Sequence, residues 1–596
     1  MALRFLWFMT LAVALVATVT FASPAGEDEA AMAAEKEYVT DPSTGKQVLK
    51  PAYGGTITVA QRPLGFDHAD TWISHAGGVY AGAALDKLGQ ADWAVDRSVN
   101  KMVTYYPESV VADHLAESWE NPDPLTYVYK MRDNVFFHDK PPVNGRQFTA
   151  DDMAANYERL FGIGRFAGQE PAVHTWGTKA LPFESVTATD KLTLVIKLSR
   201  PNADTHRQLF DDCHVRAYPP ETFDMLGNVN NLIGTGPFMV NEYVSGSSIT
   251  WDRNPNYWKD DEKYPGNRLP YADKLVMLFM SDEATILAAL RSGQIDIAGA
   301  TGNVLIKSIA NAVQLQEDVP GMQLFPIARR SETSLGMRMD KPPLDDIRVR
   351  HALQMALDLK TVTDNYYYGF GDWQPTGSIG PAVIGYNNPF DTWPEELKKF
   401  WSYDPAGAER LLDDAGYPRG ADGVRFQTSI LTRVDRSDVG YMELVAGYWK
   451  EIGVEAEIEA VDSATYEGRR AALDFDGLKD FWAVGADYGQ MASTLGQFRD
   501  DSSYRAGTFS DPVFEAKYDE LDAAAGDAEE HRRLAKALDM YVIEQHPYIY
   551  GPRVPAFNIA QPWIVGYNGE MAIGNCAWNG PYARMWIDSQ LKAELN

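Results

Sequence analysis

Cysteine is almost absent from the sequence, which has two among its 596 residues, Cys213 and Cys576. A small scaffold held together by several disulfides is therefore excluded. Whether the two cysteines form one bridge stays open, because a sequence does not show that their Cα atoms approach within about 7 Å. The first cysteine lies far from the N-terminus, so no acylated cysteine follows a leader, and a lipid anchor by that route is excluded.

Positive charge is scarce as well. Lys and Arg together number 54 against 83 Asp and Glu, which gives a formal net charge of -29. Such a chain repels phosphate groups, and this excludes nucleic acid as a partner. The hydrophobic content of 45% and the aromatic content of 12% exclude global disorder. The length predicts several domains, at about 100 to 200 residues each.

Only one hydrophobic run is long enough to enter a bilayer, and it lies at the N-terminus. Arg4 precedes the apolar run Leu6–Val19, and small residues follow at Thr20-Phe21-Ala22. This pattern predicts a cleavable signal peptide over residues 1–22, with an uncleaved anchor as the alternative. We expect a flexible, acidic tether over residues 23–52 and a free periplasmic protein, since no second such run occurs.

The sequence lacks the catalytic motifs of common exported enzymes. The glycines around Ser378 do not have the spacing of a Gly-x-Ser-x-Gly elbow. None of the ten histidines has the spacing of a zinc protease, and no Lys-Ser/Thr follows the glycine-rich stretch Gly234–Phe238 to hold a phosphate. These absences favour a binding protein with no catalytic residue, no metal site and no cofactor. An enzyme whose site is assembled from non-adjacent residues is the open alternative.

Hydrophobic periodicity predicts a strand, a helix and a second, parallel strand in the C-terminal half. A strand around Phe426–Ile430 precedes a helix whose apolar stripe covers Tyr441–Ile452. Gly453 then ends the helix in a left-handed conformation, and alternating residues predict a strand over Val454–Ala460. A shorter helix and strand within Ile286–Ile297 repeat the arrangement. Two such units far apart in the chain predict two α/β lobes.

Further elements follow from alternation, turn residues and caps. They are a strand at Thr56–Val59 that begins the fold near residue 53, a strand at Leu192–Leu198, a hairpin at Phe238–Trp251, and a helix that begins after Asp345-Asp346 and ends near Tyr366–Gly369.

A series of ordered motifs carries a family resemblance. They are GGTITV, LAESWENPDPLTYVYKMRDNVFFHD, NGRQFTADDMAANYERL, GTGPFMVNEYVSGSSITWDRNPNYW, PPLDDIRVRHALQMALD, YDPAGAERLLDDAGYP and IGVEAEIEAV. In this order they resemble the family 5 extracellular solute-binding proteins of ABC transporters, which include oligopeptide and dipeptide receptors. The resemblance extends from residue 53 to residue 567, so the C-terminal residues have no counterpart in it.

The resemblance implies an α/β fold like that of periplasmic binding proteins (type II-like, class C), with two α/β lobes joined by a hinge. One lobe is then discontinuous and carries an extra domain, and the chain crosses between lobes near Gln323–Met339 and Tyr548–Phe557. The implied division is residues 53–75, 206–325 and 546–596 for the lobe 1 core, residues 76–205 for the extra domain, and residues 326–545 for lobe 2.

The resemblance also implies site residues. In peptide-binding relatives an acidic residue after a Trp-containing strand end holds the amine of the peptide, and here this position corresponds to Asp487. Trp482 and Tyr488 are implied to stack on the ligand. Dipeptide receptors place an arginine for the carboxylate of the peptide ahead of the helix that here begins near Asp438, and Arg433 lies in that region.

The implied function is that of the substrate-binding component of an ABC importer. A periplasmic monomer captures a peptide or similar small molecule between its lobes and delivers it to the ABC permease complex in the inner membrane. The ligand class stays open, because Gly489-Gln490-Met491 replaces the Asp-Pro that usually follows the acidic residue. Oligosaccharides, metal chelates and opine-like compounds are alternative ligands in the same family, and presenting a ligand to a chemoreceptor is an alternative role.

Overall fold

The computed structural model describes most of the chain. The predicted signal peptide at residues 1–22 and both cysteines lie outside the described residues. The described ranges are 36–62, 68–71, 80–96, 111–171, 181–202, 205–206, 215–299, 306, 308–327, 334–381, 383, 385–434, 437–481, 494–502, 507–570 and 580–595.

The strands in these ranges follow one another in chain order. They are β1 Tyr38–Thr40, β2 Gln47–Leu49, β3 Thr56–Gln61, β4 Gly89–Ala91, β5 Val111–Asp113, β6 Ala116–Asp123, β7 Thr126–Met131, β8 Phe183–Ala188, β9 Thr193–Leu198, β10 Phe238–Val244, β11 Ser248–Arg253, β12 Lys274–Phe279, β13 Ile297–Gly299, β14 Gln323–Ile327, β15 Ser334–Met337, β16 Phe426–Arg433, β17 Val454–Val461, β18 Leu478–Phe481, β19 Tyr548–Ile549, β20 Ala556–Ala560, β21 Ile564–Val565 and β22 Trp586–Ile587.

The α-helices of the same ranges are concentrated in the C-terminal half. They are α1 Ala150–Phe161, α2 Glu283–Arg291, α3 Ile309–Asp318, α4 Ile347–Met355, α5 Leu359–Thr361, α6 Glu395–Lys398, α7 Pro405–Asp414, α8 Val439–Glu451, α9 Ser463–Ala471, α10 Pro512–Ala523, α11 Ala528–Gln545 and α12 Ser589–Leu595. Among the residues that the structure describes, no helix combines the length and the apolar character needed to span a membrane.

Three sheets organise the molecule. A seven-stranded sheet has the order β10-β11-β12-β3-β13-β20-β14, with β3 parallel to both β12 and β13. A five-stranded sheet has the order β17-β16-β18-β15-β19, with β16 parallel to both β17 and β18. A four-stranded antiparallel sheet has the order β6-β7-β9-β8. The seven- and five-stranded sheets, with their helices, form two α/β lobes, and the third sheet belongs to the stretch predicted as an extra domain.

The described strands pass between the two larger sheets in two places. In one, β14 belongs to the seven-stranded sheet and β15 to the five-stranded sheet. In the other, β19 belongs to the five-stranded sheet and β20 to the seven-stranded sheet. These transitions lie within the two predicted crossings. The five-stranded sheet reaches Ile549, four residues beyond the predicted end of lobe 2 at residue 545.

Several predicted elements are confirmed. The first strand, the strand with Leu194, Ile196 and Leu198 buried on one face, and the hairpin of β10 and β11 form as expected. The predicted strand–helix–strand unit is also present, since β16 and β17 pair in parallel and α8 lies between them in the chain. Gly453 has φ +85° at the end of that helix, because a left-handed residue is the usual way to terminate a helix before a strand.

The helix predicted to end near Tyr366–Gly369 is shorter. It forms as α4, capped by the Asp346 side chain that accepts from the Arg348 amide at 2.9 Å, but it ends at Met355. The physical reason is a second cap: the Asp358 carboxylate accepts from the Thr361 amide at 2.9 Å and starts α5, which continues into a π-helical turn.

The start of the fold also differs from the prediction. Part of the expected tether, from residue 36 onward, is a hairpin of β1 and β2. Val39 and Val48 pack against a cluster that contains Tyr264 and Trp586. The buried Asp41 carboxylate accepts from the Ser43 amide at 2.7 Å and lies 3.5 Å from Lys263 Nζ. Sequence pattern did not indicate this hairpin, because its partners lie hundreds of residues away.

The C-terminal residues without a counterpart in the resemblance are part of the same lobe. Arg584 donates from Nη2 to Glu262 Oε1 at 2.6 Å, and Lys592 Nζ donates to the buried Asp296 at 2.8 Å. Lys36 Nζ donates to Asp588 at 2.6 Å, so the N-terminal hairpin and the C-terminal segment are joined. The N-terminal hairpin and the C-terminal segment therefore both stabilise lobe 1.

Deleting residues 1–52 is expected to destabilise the protein relative to deleting residues 1–35. The longer deletion removes the packing of Val39 and Val48 and leaves the buried Lys263 without Asp41. We expect the free energy of unfolding to fall by at least about 2 kcal/mol, measured by urea denaturation. Equal stability of the two truncated proteins would contradict the packed hairpin.

A buried carboxylate holds a long loop onto helix α11. Asp539 is completely buried and accepts from the Ser378 amide at 2.6 Å, the Ile379 amide at 3.3 Å and the Asn388 side chain at 2.9 Å. Burial raises the pKa of Asp539 to about 6, because the charged form loses its hydration.

Asp539→Asn is expected to change how stability depends on pH. A carboxylate whose pKa is raised on folding contributes stability below its unfolded pKa, and this contribution is lost as the pH rises through about 6. From pH 4 to pH 8 the wild type should therefore lose about 2 kcal/mol relative to the variant, measured by urea denaturation. Glu544→Gln on the exposed side of the same helix is the control, and it should follow the wild-type profile; an Asp539→Asn profile parallel to the wild type would contradict the assignment.

Candidate functional site

The carboxyl ends of parallel strands are where open α/β sheets usually bind ligands. In the five-stranded sheet, β16 ends at Arg433 and the adjacent parallel strand β18 ends at Phe481. The chain then continues into the segment with Trp482, Asp487 and Tyr488, which lies outside the described residues. The predicted roles of these three residues stay predictions, and the described site is what surrounds the two strand ends.

Arg433 lies at this edge, but its charge faces carboxylates of the protein. The residue is 4% exposed. Its Nη2 donates to Asp480 Oδ2 at 3.1 Å, its Nη1 lies 3.7 Å from Glu467 Oε1, and its guanidinium carbon lies 4.6 Å from the centre of the Tyr466 ring. Its predicted contact with a ligand carboxylate stays a prediction, and such a ligand would have to compete with Asp480.

Asp480 joins three parts of the edge. Its carboxylate accepts from Arg433 and from the Ser437 hydroxyl, and its main-chain carbonyl accepts from the Tyr466 hydroxyl. Ser437 belongs to the loop before α8, and Tyr466 belongs to α9. These bonds fix the loop and the helix against β18, so the edge is held in place by buried polar contacts.

Lys479 is the residue that sequence reasoning missed. It pairs with Leu431 of β16, so both side chains lie on the face where Leu431 packs against Tyr466 of α9. Lys479 is 1% exposed, and in the part of the chain that the structure describes its Nζ has no hydrogen-bond acceptor. The ammonium lies 4.6 Å from the centre of the Phe481 ring. Burial is the largest cause that lowers its pKa, to about 7, and the nearby positive charge of Arg470 adds to the effect.

The structure, and not the sequence alone, draws attention to Lys479. Strand β18 is buried at all four positions, and a lysine in such a strand is rare unless it has a partner. An unpartnered buried ammonium is a candidate site for an anion.

Aromatic side chains flank the same edge at the start of α8. The Asp438 carboxylate caps this helix by accepting from the Tyr441 amide at 3.1 Å. It also accepts from the hydroxyls of Tyr366 at 2.9 Å and Tyr367 at 3.0 Å. A Cβ at Gly440 would meet the Tyr366 hydroxyl, so a larger residue there would displace the Tyr366 side chain. The Tyr366 ring remains 38% exposed beside the edge.

The edge therefore combines a buried cation, a carboxylate network and an exposed aromatic ring. Such groups can bind an anionic or amphipathic small molecule through hydrogen bonds and ring contacts.

Solved structures share the fold of this chain. The periplasmic binding protein DppA of Helicobacter pylori, in complex with the peptide STSA, matches with a TM-score of 0.67 at 20% identity, over 90% of this chain and 99% of that chain. A dipeptide-binding protein of Pseudoalteromonas, in complex with Met-Leu, matches with a TM-score of 0.67 at 18% identity, over 88% and 99%. The fold is that of two-lobed periplasmic binding proteins.

The family follows from the sequence comparison. The sequence model that defines the bacterial extracellular solute-binding proteins, family 5, matches residues 110–505, and the chain belongs to this family. Heme-binding protein A of Haemophilus influenzae is 25% identical over 560 residues, which is 90% of this chain and 94% of the relative. Di/tripeptide-binding protein 1 of Pseudomonas aeruginosa is 25% identical over 539 residues, 87% of this chain and 94% of the relative.

Replacing Arg433 distinguishes a role in stabilising the fold from a role in binding a ligand carboxylate. Arg433→Gln leaves the buried Asp480 carboxylate without its cation and is expected to lower the free energy of unfolding by about 3 kcal/mol in the absence of any ligand. Arg469→Gln is the matched control, because Arg469 pairs with Glu459 at 2.8 Å on the partly exposed side of α9 and should cost less than about 1 kcal/mol. An Arg433→Gln protein as stable as the wild type in urea would indicate that this charge is reserved for a ligand.

Proposed function

We propose that this protein is the periplasmic receptor of an ABC importer and that it captures a peptide or a similar small acidic molecule between its lobes. The proposal rests on the family, the two-lobed fold and one observation above all. This observation is the buried Lys479 ammonium without an acceptor, placed two residues before the end of β18. A ligand carboxylate would supply the missing partner.

The ligand ends are assigned to residues on both sides of that strand end. Asp487 holds the amine of a peptide, and Lys479 holds a carboxylate. Lys479 is favoured over Arg433 for the carboxylate, because Arg433 already faces Asp480 at 3.1 Å, whereas Lys479 Nζ has no hydrogen-bond acceptor among the described residues. Trp482 and Tyr488 stack on the body of the ligand, as amphipathic rings do at little cost in entropy.

Capture works through closure of the lobes and needs no chemical step. A ligand that touches both lobes binds the closed form better than the open form, and this difference drives the motion. Changing a population from 1:99 to 99:1 needs about 5.5 kcal/mol of preference, which is within the roughly 8 kcal/mol of a micromolar binder. The two passages between the sheets, β14 to β15 and β19 to β20, are the proposed hinge.

The division into domains is proposed as predicted, with two changes suggested by the described residues. The lobe 1 core unites residues 53–75, 206–325 and 550–596 and gains the N-terminal hairpin. The extra domain covers residues 76–205. Lobe 2 covers residues 326–549, because strand β19 lies in its sheet.

The cellular context is proposed from the N-terminal sequence and from relatives described as periplasmic. Residues 1–22 are removed as a signal peptide, and the mature monomer diffuses in the periplasm without a lipid anchor. It docks on an ABC permease in the inner membrane and acts as a carrier, without catalysis.

Mass spectrometry of the molecule that co-purifies with the folded protein tests the ligand class. Thermal-shift screening of peptides, oligosaccharides, metal chelates, opines and haem supports it, because a ligand raises the melting temperature by mass action. Haem belongs to the panel because one relative is a heme-binding protein. Stabilisation by peptides would support the proposal. Stabilisation by haem or a sugar alone would show that the ligand is that compound and not a peptide.

Asp487→Ala is expected to weaken binding of the peptide Ala-Ala-Ala by about tenfold or more, since a hydrogen bond to a charged group contributes about 1.5 to 3 kcal/mol. N-acetylated Ala-Ala-Ala, which lacks the charged amine, should bind both proteins equally in isothermal titration calorimetry. Asp476→Ala is the control, because Asp476 is an exposed aspartate that pairs with Lys341 at 2.6 Å. Unchanged affinity of Asp487→Ala for the free peptide would remove the amine assignment.

A further inference from the structure

The charges around Lys479 leave its ammonium without compensation. Two carboxylates are near enough to attract it, Asp480 on its own strand and Glu467 on α9. Asp480 is bonded to Arg433 at 3.1 Å and to the Ser437 hydroxyl. Glu467 accepts from Arg470 Nε at 2.7 Å. Both carboxylates are therefore committed to arginines.

The cations around Lys479 act in the opposite direction. Arg433 at the end of β16 and Arg470 on α9 both disfavour a third positive charge. The antiparallel neighbour β15 places Gly336 opposite Lys479, and Arg338 beyond it donates to Asp340 at 2.7 Å. No strand or helix in the described residues supplies a free anion to this ammonium.

A buried amine in such surroundings changes its charge easily. The neutral form avoids the loss of hydration and the repulsion from the two arginines, and burial lowers the pKa of Lys479 to about 7. A carboxylate brought within bonding distance reverses the balance, because an opposite charge within about 4 Å favours the charged amine.

We propose that the receptor takes up a proton at Lys479 when it captures an acidic ligand. The inference rests on the proposed function, in that the ligand is one that brings a carboxylate to this strand end. No bond between heavy atoms is made or broken. The proton comes from the solvent, binds to the Nζ lone pair, and the resulting ammonium donates to the ligand carboxylate.

The coupling has a defined dependence on pH. With a free-state midpoint near 7, about 0.9 of a proton is taken up at pH 8 and about half a proton at pH 7. The affinity for a carboxylate ligand then falls by up to about tenfold for each unit of pH above 7. A receptor of this kind binds acidic ligands best in a mildly acidic periplasm.

Calorimetry in two buffers tests the proton uptake. Ala-Ala-Ala is titrated into the full-length mature protein at pH 8 in phosphate and in Tris, whose different ionisation enthalpies report the number of protons bound.

Lys479→Arg is the matched control, because arginine stays charged. The amine of the peptide also titrates near pH 8, but it contributes equally to both proteins. The wild type is expected to take up about 0.9 proton more than Lys479→Arg. Equal uptake would overturn the inference.

An NMR titration of the Lys479 amine without ligand is a second, independent test of the inference. The ¹³Cε resonance of Lys479, assigned by its absence in Lys479→Met, is expected to titrate with a midpoint near 7 in the free protein and at about 10 or higher with saturating Ala-Ala-Ala, as an uptake of about 0.9 proton at pH 8 requires. A free-state midpoint above 9 would overturn the inference whether or not a peptide binds. Failure of the wild type to bind any peptide contradicts the proposed function instead, and the free-state midpoint then decides on Lys479 alone.

Discussion

A buried positive charge without a partner is the constraint on which this account depends. Removing an ammonium from water costs several kcal/mol unless a carboxylate or hydrogen bonds compensate it. Lys479 is surrounded by carboxylates that are already bonded to Arg433 and Arg470. At the edge of the five-stranded sheet the Lys479 ammonium therefore bonds to no carboxylate of the described residues, and in the proposed function the ligand supplies that anion.

The fold positions the groups on which the proposed binding depends. Parallel pairing of β16 with β17 and β18 directs their carboxyl ends to one edge, and the Asp480 network holds α9 and the loop before α8 in place there. In the described residues the chain passes between the two larger sheets in two places, which are the proposed hinge. Capture by closure requires that the ligand contact both lobes and that the connection between them allow relative motion.

Local pattern predicted much of the fold and little of the site. The unit from β16 to β17 could be predicted because its strands and helix have regular hydrophobic periodicity and Gly453 ends the helix. The N-terminal hairpin was not, because Val39 and Val48 find their partners more than two hundred residues away. Lys479 was missed because its importance lies in what is absent around it, and a sequence does not show which carboxylates other arginines have taken. Trp482, Asp487 and Tyr488 came from family resemblance rather than from pattern, and they lie outside the described residues.

The position of a bound ligand tests the central claim most directly. A crystal structure of the protein with the ligand that co-purifies with it shows which atoms face Lys479. The account predicts a ligand carboxylate oxygen about 3 Å from Lys479 Nζ, at hydrogen-bond distance, with Arg433 still bonded to Asp480. A ligand whose anionic group binds elsewhere, with Lys479 still unpartnered behind it, would contradict the account.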